Sequence, residues 1–285
     1  MKDRSVLLVI HPTKSEAAKF AIDLASALTN AGFKVVSQYP QALPHVSPLG
    51  DISEVEIAIV LGGDGTILRA AELVQHRQIP ILGINMGNVG FLAEIERPTI
   101  ERIVQGVSER SYQGESRLVL HYSVERRGKI VESGWALNEV TLGRSDAQMV
   151  ELFVQIDGRP LSRWGCDGVI AATPTGSTAY AFSAGGPVVW PEVNAIVFLP
   201  LAAHALYSRP MVISPDSTIA IDLESASAHL SADGMRTFAV EKSDRVTISR
   251  ENYSIELVHL DGGAFTDRLV AKFKLPIEGW RGERA

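Results

Sequence analysis

One stretch constrains the fold of this chain more than any other: an apolar strand pattern runs directly into a glycine-rich turn and then into a helix pattern. Residues 55–61 form an apolar, β-branched run typical of a buried parallel strand. Gly-Gly-Asp-Gly-Thr follows at residues 62–66, and apolar residues then recur with helical spacing over residues 67–74. A strand-to-helix turn of this kind indicates an α/β protein and argues against a hairpin.

The turn has the composition of a phosphate-binding loop. Its glycines let backbone N–H groups approach a phosphate without interference from Cβ, and the N-terminus of the next helix adds partial positive charge. Asp64 does not fit simple phosphate binding, because a carboxylate repels phosphate. A catalytic base or a handle for Mg²⁺ would explain it. The alternative is a tight Asp-Gly turn that only joins two elements.

The first 115 residues alternate between strand and helix patterns. Strand patterns cover residues 6–10, 33–36, 55–61 and 79–84, and helix patterns cover residues 17–28, 66–76 and 98–110. This order predicts a three-layer α/β domain with a parallel sheet. A second Gly/Asn segment, residues 85–92, follows the strand at 79–84. Ligands of open α/β sheets bind at the carboxyl ends of the strands, where both loops leave the sheet.

After about residue 115 the pattern changes to alternating apolar and polar residues separated by turn signals, which predicts antiparallel β-structure. Strand patterns cover residues 118–124, 131–142, 149–157, 219–223, 228–230 and 246–248. We therefore expect an α/β domain over residues 1–115 and an all-β domain over residues 116–261. Residues 171–187 interrupt the second pattern and are rich in Thr, Ser and Gly, which offer hydroxyl and backbone donors to a polar ligand.

Composition narrows the class of protein. The chain has 285 residues, 46% hydrophobic and 21% charged, which suffices for two domains with a buried core. A net charge of −6 argues against a nucleic-acid or anionic-membrane surface. The single cysteine, Cys166, permits no internal disulfide, and no stretch resembles a signal peptide or a membrane span. We expect a cytoplasmic protein that binds neither nucleic acid nor membrane.

Several common site motifs are missing from the sequence. It contains no P-loop, no Gly-x-Gly-x-x-Gly after the first strand, and neither His-Glu-x-x-His nor Cys-x-x-Cys, so no metal ligand set is indicated. Ser177 lacks the Gly-x-Ser-x-Gly context of a nucleophile. What remains is a polar pair, Asn138 and Glu139, in an otherwise apolar strand pattern. A buried carboxylate there needs a partner, and ribose hydroxyls are suitable; the alternative is a solvent-exposed strand edge.

Three motifs occur together and in order: Gly-Gly-Asp-Gly-Thr at residues 62–66, the pair Asn138-Glu139, and the segment 167–180. Together they resemble the signature motifs of the NAD kinases, in particular the ATP/polyphosphate-dependent branch of actinobacteria. The resemblance covers nearly the whole chain. It implies an α/β N-terminal domain and an all-β C-terminal domain, with residues 262–285 packing back on the first domain.

The resemblance also implies a reaction. A phosphoryl group would pass from ATP or inorganic polyphosphate to the 2′-hydroxyl of the adenosine ribose of NAD, giving NADP, with Asp64 as general base. A divalent metal ion, Mg²⁺, would be the cofactor, and the protein would be a homodimer or homotetramer. Ala203 and Met235 depart from the family pattern, where proline and glutamine respectively are common.

The resemblance assigns NAD contacts residue by residue. The candidates lie in or next to the shared motifs; they are Gly63, Gly65, Phe91, Asn138, Glu139, Asp167, Thr178, Ala179, Tyr180 and Ser183. The two glycines would line the phosphates, and Phe91 would contact the adenine end. The 138–139 pair would hold the adenosine, residues 178–183 would form the adenine pocket, and Asp167 would lie nearer the nicotinamide.

Four further residues are weaker candidates. Arg69, one turn into the helix after the glycines, and Lys14, in the first loop, are candidate phosphate contacts, although ordinary surface cations are the commoner case. His204 and Asp233 match family landmarks, and a structural role is the alternative for His204.

Two other functions remain open at this point. A lipid or sugar kinase of the same superfamily would have no adenine pocket, and the 173–187 segment argues against it. A non-catalytic NADP sensor would have no need of the Asp64 carboxylate.

Overall fold

The structure is a computed structural model that describes residues 4–10, 15–38, 43, 46–87, 89–262 and 264–277. The chain divides into two compact units, Met1–Ser116 with Ile255–Ala285, and Arg117–Ser254. We expected the second domain to continue to residue 261. Its unit ends earlier because Leu257 and Val258 pair in parallel with Ile81 and Leu82 of the first unit.

Strands and helices alternate at the start of the chain. The elements there are β1 (Ser5–Ile10), α1 (Ser15–Asn30), β2 (Lys34–Ser37), β3 (Ser47–Pro48), β4 (Val55–Gly62), α2 (Asp64–Val74), β5 (Ile81–Asn85) and α3 (Ile100–Glu109). The helix predicted over residues 66–76 begins earlier than expected. The carbonyl of Gly63 accepts hydrogen bonds from the N–H groups of Thr66 and Ile67, so Asp64 already lies in the first helical turn.

The rest of the chain is mostly strand, with a short helix α4 and a final helix α5. The elements are β6 (Gln113–Arg126), β7 (Lys129–Ala136), β8 (Glu139–Gly143), β9 (Val150–Ile156), β10 (Arg159–Cys166), β11 (Gly168–Ala172), α4 (Tyr180–Ser183), β12 (Ile196–Leu201), β13 (Met211–Ile213), β14 (Ile219–Leu223), β15 (Ser227–Ala232), β16 (Arg236–Glu241), β17 (Arg245–His259) and α5 (Phe265–Phe273). The strand predicted over residues 131–142 is therefore two strands, β7 and β8.

The sheet of the first unit is parallel, in the order β17–β5–β4–β1–β2–β3. Strand β4 lies beside β5, with Gly62 opposite Asn85. The glycine turn and the loop after β5 therefore leave the sheet at the same carboxyl edge, where ligands of open α/β sheets bind.

Helices cover both faces of this sheet. Leu82 and Ile84 of β5 belong to a buried cluster that includes residues of α1 and α3. Gly83 lies between them and points to the opposite face, because successive strand residues alternate, and there it lies against Ile67 of α2. The first unit thus has three layers, which confirms the predicted α/β class.

Two antiparallel sheets form the second unit. One has the order β10–β9–β14–β17, with β6 paired to β17 and β7, and the other has the order β13–β12–β11–β8–β15–β16. A buried cluster with residues from both sheets, among them Leu152, Trp164, Phe198 and Leu230, forms the core. The predicted β-rich class is confirmed. None of the helices described here is long and apolar enough to cross a membrane.

Candidate active site

The glycine turn joins β4 to α2 with open space on one side. A Cβ on Gly62 would overlap the side chain of Thr66, so this glycine is needed for close packing of the turn. A Cβ on Gly63 or Gly65 would meet nothing within 4 Å. The residue before the helix, Gly63, offers no side chain to cap it. The first N–H groups of α2 therefore face a space that a ligand can occupy.

The Asp64 carboxylate is fixed by the loop that follows β5. Its Oδ2 accepts a hydrogen bond from the N–H of Phe91 at 3.0 Å, and its Oδ1 accepts one from the N–H of Leu92 at 3.1 Å. A Cβ on Gly90 would overlap this carboxylate, so glycine is required for the approach. Asp64 thus links the two loops at the carboxyl edge, which the bland interpretation as a simple Asp-Gly turn does not explain.

The other candidates of the first unit differ in exposure. Phe91 is buried, and its ring centroid lies 5.9 Å from the ring centroids of both Phe265 and Phe273. Arg69 is exposed on α2. Lys14 lies outside the described residues, so nothing is added to its assignment.

In the second unit, Asp233 divides the predicted 131–142 strand. Its carboxylate accepts hydrogen bonds from the N–H groups of Leu137 (3.0 Å), Asn138 (2.7 Å) and Glu139 (3.3 Å). These groups are therefore turned away from a regular strand ladder. Burial raises the pKa of Asp233, whereas the backbone donors and the Arg236 guanidinium, 2.6 Å away, act in the opposite direction. Asp233 shapes the backbone at the 138–139 pair.

Glu139 is a buried carboxyl group with an unused oxygen. The residue is 6% exposed, and its Oε2 has no hydrogen-bond partner among the described residues. Burial, with a contribution from the nearby Asp233 charge, raises its pKa to about 7. Strand β8 lies between β11 and β15, so the alternative of a solvent-exposed strand edge is wrong for Glu139. Asn138 is partly exposed.

The Thr/Gly-rich segment docks directly on this pair. The Thr173 hydroxyl donates to the carbonyl of Leu137 at 2.6 Å, and the N–H of Thr173 donates to the carbonyl of Asn138 at 2.9 Å. A Cβ on Gly176 would overlap the Asn138 carbonyl, so the turn can lie this close only with glycine. Two segments that are separate in sequence thus form one polar surface.

The hydroxyl of Ser177 is buried and occupied. It donates to the carbonyl of Pro174 at 2.6 Å and accepts from the N–H of Val189 at 2.9 Å. Ser177 is fully buried, which agrees with the sequence argument that it is no nucleophile.

The proposed adenine pocket is the exposed end of the same segment. Thr178 and Ala179 are half-buried, whereas Tyr180 and Ser183 of α4 are exposed. The backbone N–H of Tyr180 hydrogen-bonds to Glu139, which joins this end of the segment to the buried carboxyl group.

Two candidates, Asp167 and His204, and the single cysteine, Cys166, remain to be placed. Asp167 precedes β11, whose other end pairs with Glu139, and its carboxylate lies 3.4 Å from the guanidinium of Arg144. The His204 side chain is exposed. Cys166 is fully buried, and burial raises its pKa to about 11, so a reactive thiolate is not supported.

One residue that the sequence reasoning missed is Arg117. It is 2% exposed, and its Nη1 donates to the Thr175 hydroxyl at 3.2 Å, behind the 173–178 segment. Nothing in the local pattern singled it out, because it stands at the start of an ordinary alternating strand. Asp233 was named from the sequence only as a family landmark, and its contacts with the 137–139 backbone appear only in the structure.

Two family descriptions match the chain. Residues 45–112 match the ATP-NAD kinase N-terminal domain, and residues 137–260 match the ATP-NAD kinase C-terminal domain. An NAD kinase of Mycolicibacterium paratuberculosis is 43% identical in an alignment of 304 residues that covers 98% of both chains. NAD kinase 2 of Streptomyces coelicolor is also 43% identical, and the match covers 98% of this chain and 97% of that protein.

Solved structures agree with these matches. Yeast NADH kinase complexed with NADH superposes with a TM-score of 0.86 at 23% identity, covering 96% of this chain and 88% of that one. An NAD kinase from Archaeoglobus fulgidus in complex with ATP superposes with a TM-score of 0.73 at 25% identity, covering 95% and 100%.

The two-unit fold and the two matching family domains thus define a kinase. The chain belongs to the NAD kinase family, and its reaction is the phosphorylation of NAD. The predicted family and enzyme class are confirmed. The roles of the individual site residues stay predictions.

Proposed function

We propose that this enzyme transfers the terminal phosphoryl group of ATP or inorganic polyphosphate to the 2′-hydroxyl of the adenosine ribose of NAD, with Asp64 as general base. The observation that carries the proposal is the placement of Asp64. Its carboxylate stands at the start of α2, held by the N–H groups of Phe91 and Leu92, beside the open space at Gly63 and Gly65.

The chemistry asks little more of the protein than positioning. Phosphoryl transfer passes through a loose transition state, so alignment and charge stabilisation dominate. Each oxygen of Asp64 accepts one backbone hydrogen bond and keeps a lone pair for the ribose hydroxyl. As the ribose oxygen bonds to the terminal phosphorus, its proton passes to Asp64, and the bond from that phosphorus to the leaving phosphate oxygen breaks.

We further propose Mg²⁺ as the metal ion. Among the described residues, no group of three or more His, Cys, Asp or Glu side chains could hold a metal. Nucleotide-bound Mg²⁺ typically needs only one or two protein carboxylates, because substrate phosphates and waters supply the remaining ligands. Asp64, a carboxylate beside a space suited to phosphates, fits that requirement. When bound, the ion would neutralise charge on the donor phosphates.

NAD binding is assigned to the second unit. The buried Oε2 of Glu139 lacks a partner in the described part of the chain, and a ribose hydroxyl would supply the missing donor. The neighbouring Asn138 is partly exposed and offers both an acceptor and donors. The exposed ring of Tyr180 would contact the adenine.

The decisive variant is Asp64→Asn. Positioned general bases contribute on the order of 10²–10⁴-fold, and we expect the single-turnover rate of NADP formation to fall by that range. NAD affinity, measured by calorimetric titration, should change only a few-fold, since the amide can still meet the hydroxyl. If Asp64 mainly holds the metal, added Mg²⁺ should partly restore the rate and donor affinity should fall first.

Two controls separate the parts of this proposal. An NAD analogue with a 2′-deoxy adenosine ribose should not react, whereas the 3′-deoxy analogue should. Assays with ATP and with polyphosphate, each at saturation, determine the donor. Near-normal turnover of Asp64→Asn at saturating substrates would refute both roles of the carboxylate.

A further inference from the structure

The C-terminal helix α5 contacts the loop that holds the proposed base. The rings of Phe265 and Phe273 both lie 5.9 Å from the ring of Phe91, centroid to centroid. The ammonium group of Lys272 donates to the carbonyl of Val89 at 2.8 Å. Helix α5 therefore touches residues 89–91 through two aromatic contacts and one hydrogen bond.

The other side of the same loop contacts Asp64. The N–H groups of Phe91 and Leu92 donate to the two oxygens of its carboxylate, and the lack of a side chain at Gly90 permits the approach. The loop thus lies between α5 and the carboxylate, and Phe91 belongs to both contacts. A displacement of α5 would therefore move Phe91 and the adjacent loop residues, and with them the N–H groups that hold the Asp64 carboxylate.

A buried polar cluster holds α5 in its position. Arg268 is 1% exposed, and its Nη2 lies 3.0 Å from Nε2 of His259. Its Nη1 lies 3.5 Å from Oε2 of Glu115. Glu94, also buried, accepts a hydrogen bond from the N–H of Leu260 at 2.6 Å, and its Oε1 lies 3.8 Å from the ring of His259.

If α5 only covered apolar side chains of the first unit, it would not need such a polar cluster. Burying an arginine is costly unless its geometry is satisfied, so buried ion pairs are weak sources of stability. In this protein, a shift of α5 would take the buried Arg268 guanidinium away from His259 and Glu115. The position of Arg268 therefore indicates a helix seated in one register and orientation.

We propose that α5 is a positioning element of the phosphoryl-transfer site. It holds residues 89–92 so that the N–H groups of Phe91 and Leu92 keep the Asp64 carboxylate oriented toward the substrate hydroxyl. Lys272 and Phe273 are positioning residues, since they act through the loop and touch no reacting atom. The catalytic part of this inference rests on the proposed role of Asp64.

The test uses the full chain with Lys272→Ala and Phe273→Leu combined. Both side chains lie at the C-terminal end of α5 and are not fully buried, so the fold should persist. Lys274→Ala is the matched control, because it removes an equal charge from an exposed residue just beyond the helix. Hydrogen exchange at the Phe91 and Leu92 amides is the first readout. It should accelerate in the double variant and stay unchanged in Lys274→Ala.

The second readout is the single-turnover rate at saturating substrates, well below the melting temperature. A displacement of about 1 Å can cost on the order of 10²-fold, so we expect the double variant to lose about tenfold or more. The single variant Lys272→Arg keeps a hydrogen-bond donor at this position and leaves Phe273 intact. Its single-turnover rate should therefore match that of the wild type. In an Asp64→Asn background the same helix substitutions should cost little more, because the group that they position is gone.

The outcomes separate this inference from the proposed function. Unchanged amide exchange in the double variant would overturn the positioning role, whatever Asp64 does. A lowered melting temperature with an unchanged turnover rate would show that α5 only stabilises the fold. That result would also overturn the positioning role. Accelerated exchange combined with a fully active Asp64→Asn would instead refute the proposed base, while the contact between α5 and the loop would stand.

Discussion

Three carboxyl groups in or next to the predicted motifs differ in the hydrogen bonds that their oxygens accept. Asp64 accepts two backbone hydrogen bonds and Asp233 accepts three, so both have fixed orientations. Glu139 is as buried as Asp233, whereas Asp64 is only half-buried, and Glu139 keeps one oxygen without a partner in the described structure. A carboxyl group of this kind is unfavourable for the free protein and becomes useful when a ligand supplies the missing donor.

The raised pKa of Glu139 predicts a pH dependence of stability. Burial shifts it from 4.5 to about 7, so between these values the folded protein binds a proton that the unfolded chain has released. The free energy of unfolding should therefore fall as pH rises from about 4.5 to about 7, by about 3 kcal/mol for this group. Urea denaturation of the wild type and of Glu139→Gln at several pH values measures the difference.

The variant is expected to lack this contribution. Relative to the wild type, Glu139→Gln should gain stability as pH rises through that interval, and its NAD affinity should fall because an acceptor oxygen is lost. Parallel stability curves would show that Glu139 is ionised at low pH in the folded protein, and the assignment of its burial cost would then be wrong.

At the scale of elements, the site depends on segments that interrupt regular structure. The gap between β7 and β8 exposes the 138–139 backbone to Asp233 and to Thr173, instead of to a continuous strand ladder. The turn after Thr173 then lies against that gap, and its closeness is set by Gly176. The polar surface assigned to NAD is thus made by a break in one strand and by a turn that fills it.

Gly176→Ala tests this arrangement. The new Cβ would overlap backbone atoms of Asn138, which cannot rotate away as a side chain can. Overpacking of this kind typically costs about 1–3 kcal/mol, and we expect a comparable loss of stability in thermal unfolding. NAD affinity should fall at least about tenfold, the equivalent of ~1.4 kcal/mol.

Gly50→Ala is the control for that substitution, because a Cβ there meets nothing within 4 Å and the residue lies in an exposed loop. It should match the wild type in melting temperature and in NAD titration. If the Gly176→Ala protein binds NAD with normal affinity, the 176–178 turn is not part of the NAD-binding surface.

At the scale of the whole molecule, the chain leaves its first unit once and returns to it. Strand β6 leads into the second unit, and β17 leads back, where its end pairs with β5. Helix α5 then completes the first unit. The last part of the chain consequently supplies both a strand of the parallel sheet and a helix that packs beside the proposed phosphoryl-transfer loop.

A chain that ends at Gly262 removes α5 and should be markedly less stable. The truncation exposes the ring of Phe91 and leaves Glu115 and His259 without the Arg268 guanidinium. The truncation also removes Phe265 from the core, and loss of a large buried aromatic side chain typically costs about 3–5 kcal/mol. We expect a melting temperature lower by several degrees and a strongly reduced turnover rate, measured by calorimetry and by NADP formation.

The matched control ends at Ile277 and keeps α5 whole. It should behave like the full chain in both measurements. A Gly262 truncation with unchanged melting and full activity would show that α5 is dispensable, contrary to its contacts in the structure.

The sequence by itself determined the class of each half and the main motifs. Strand and helix periodicity over residues 6–110 and the alternation after residue 115 are local patterns, because side-chain burial repeats every 2 or 3.6 residues along one element. The glycine turn at residues 62–66 is also local, since its backbone needs are met by contiguous residues. The motifs at residues 62–66, 138–139 and 167–180 sufficed to indicate the family.

Only the tertiary structure decided which groups form hydrogen bonds with the site residues. Asp64 meets its partners 27 and 28 residues away, and Asp233 divides a strand 94 to 96 residues before it. No local pattern encodes such pairs, because they arise when separate elements pack together. The same holds for the burial of Arg268, a charged residue that a sequence pattern would place at the surface and that the fold encloses beside Glu115 and His259.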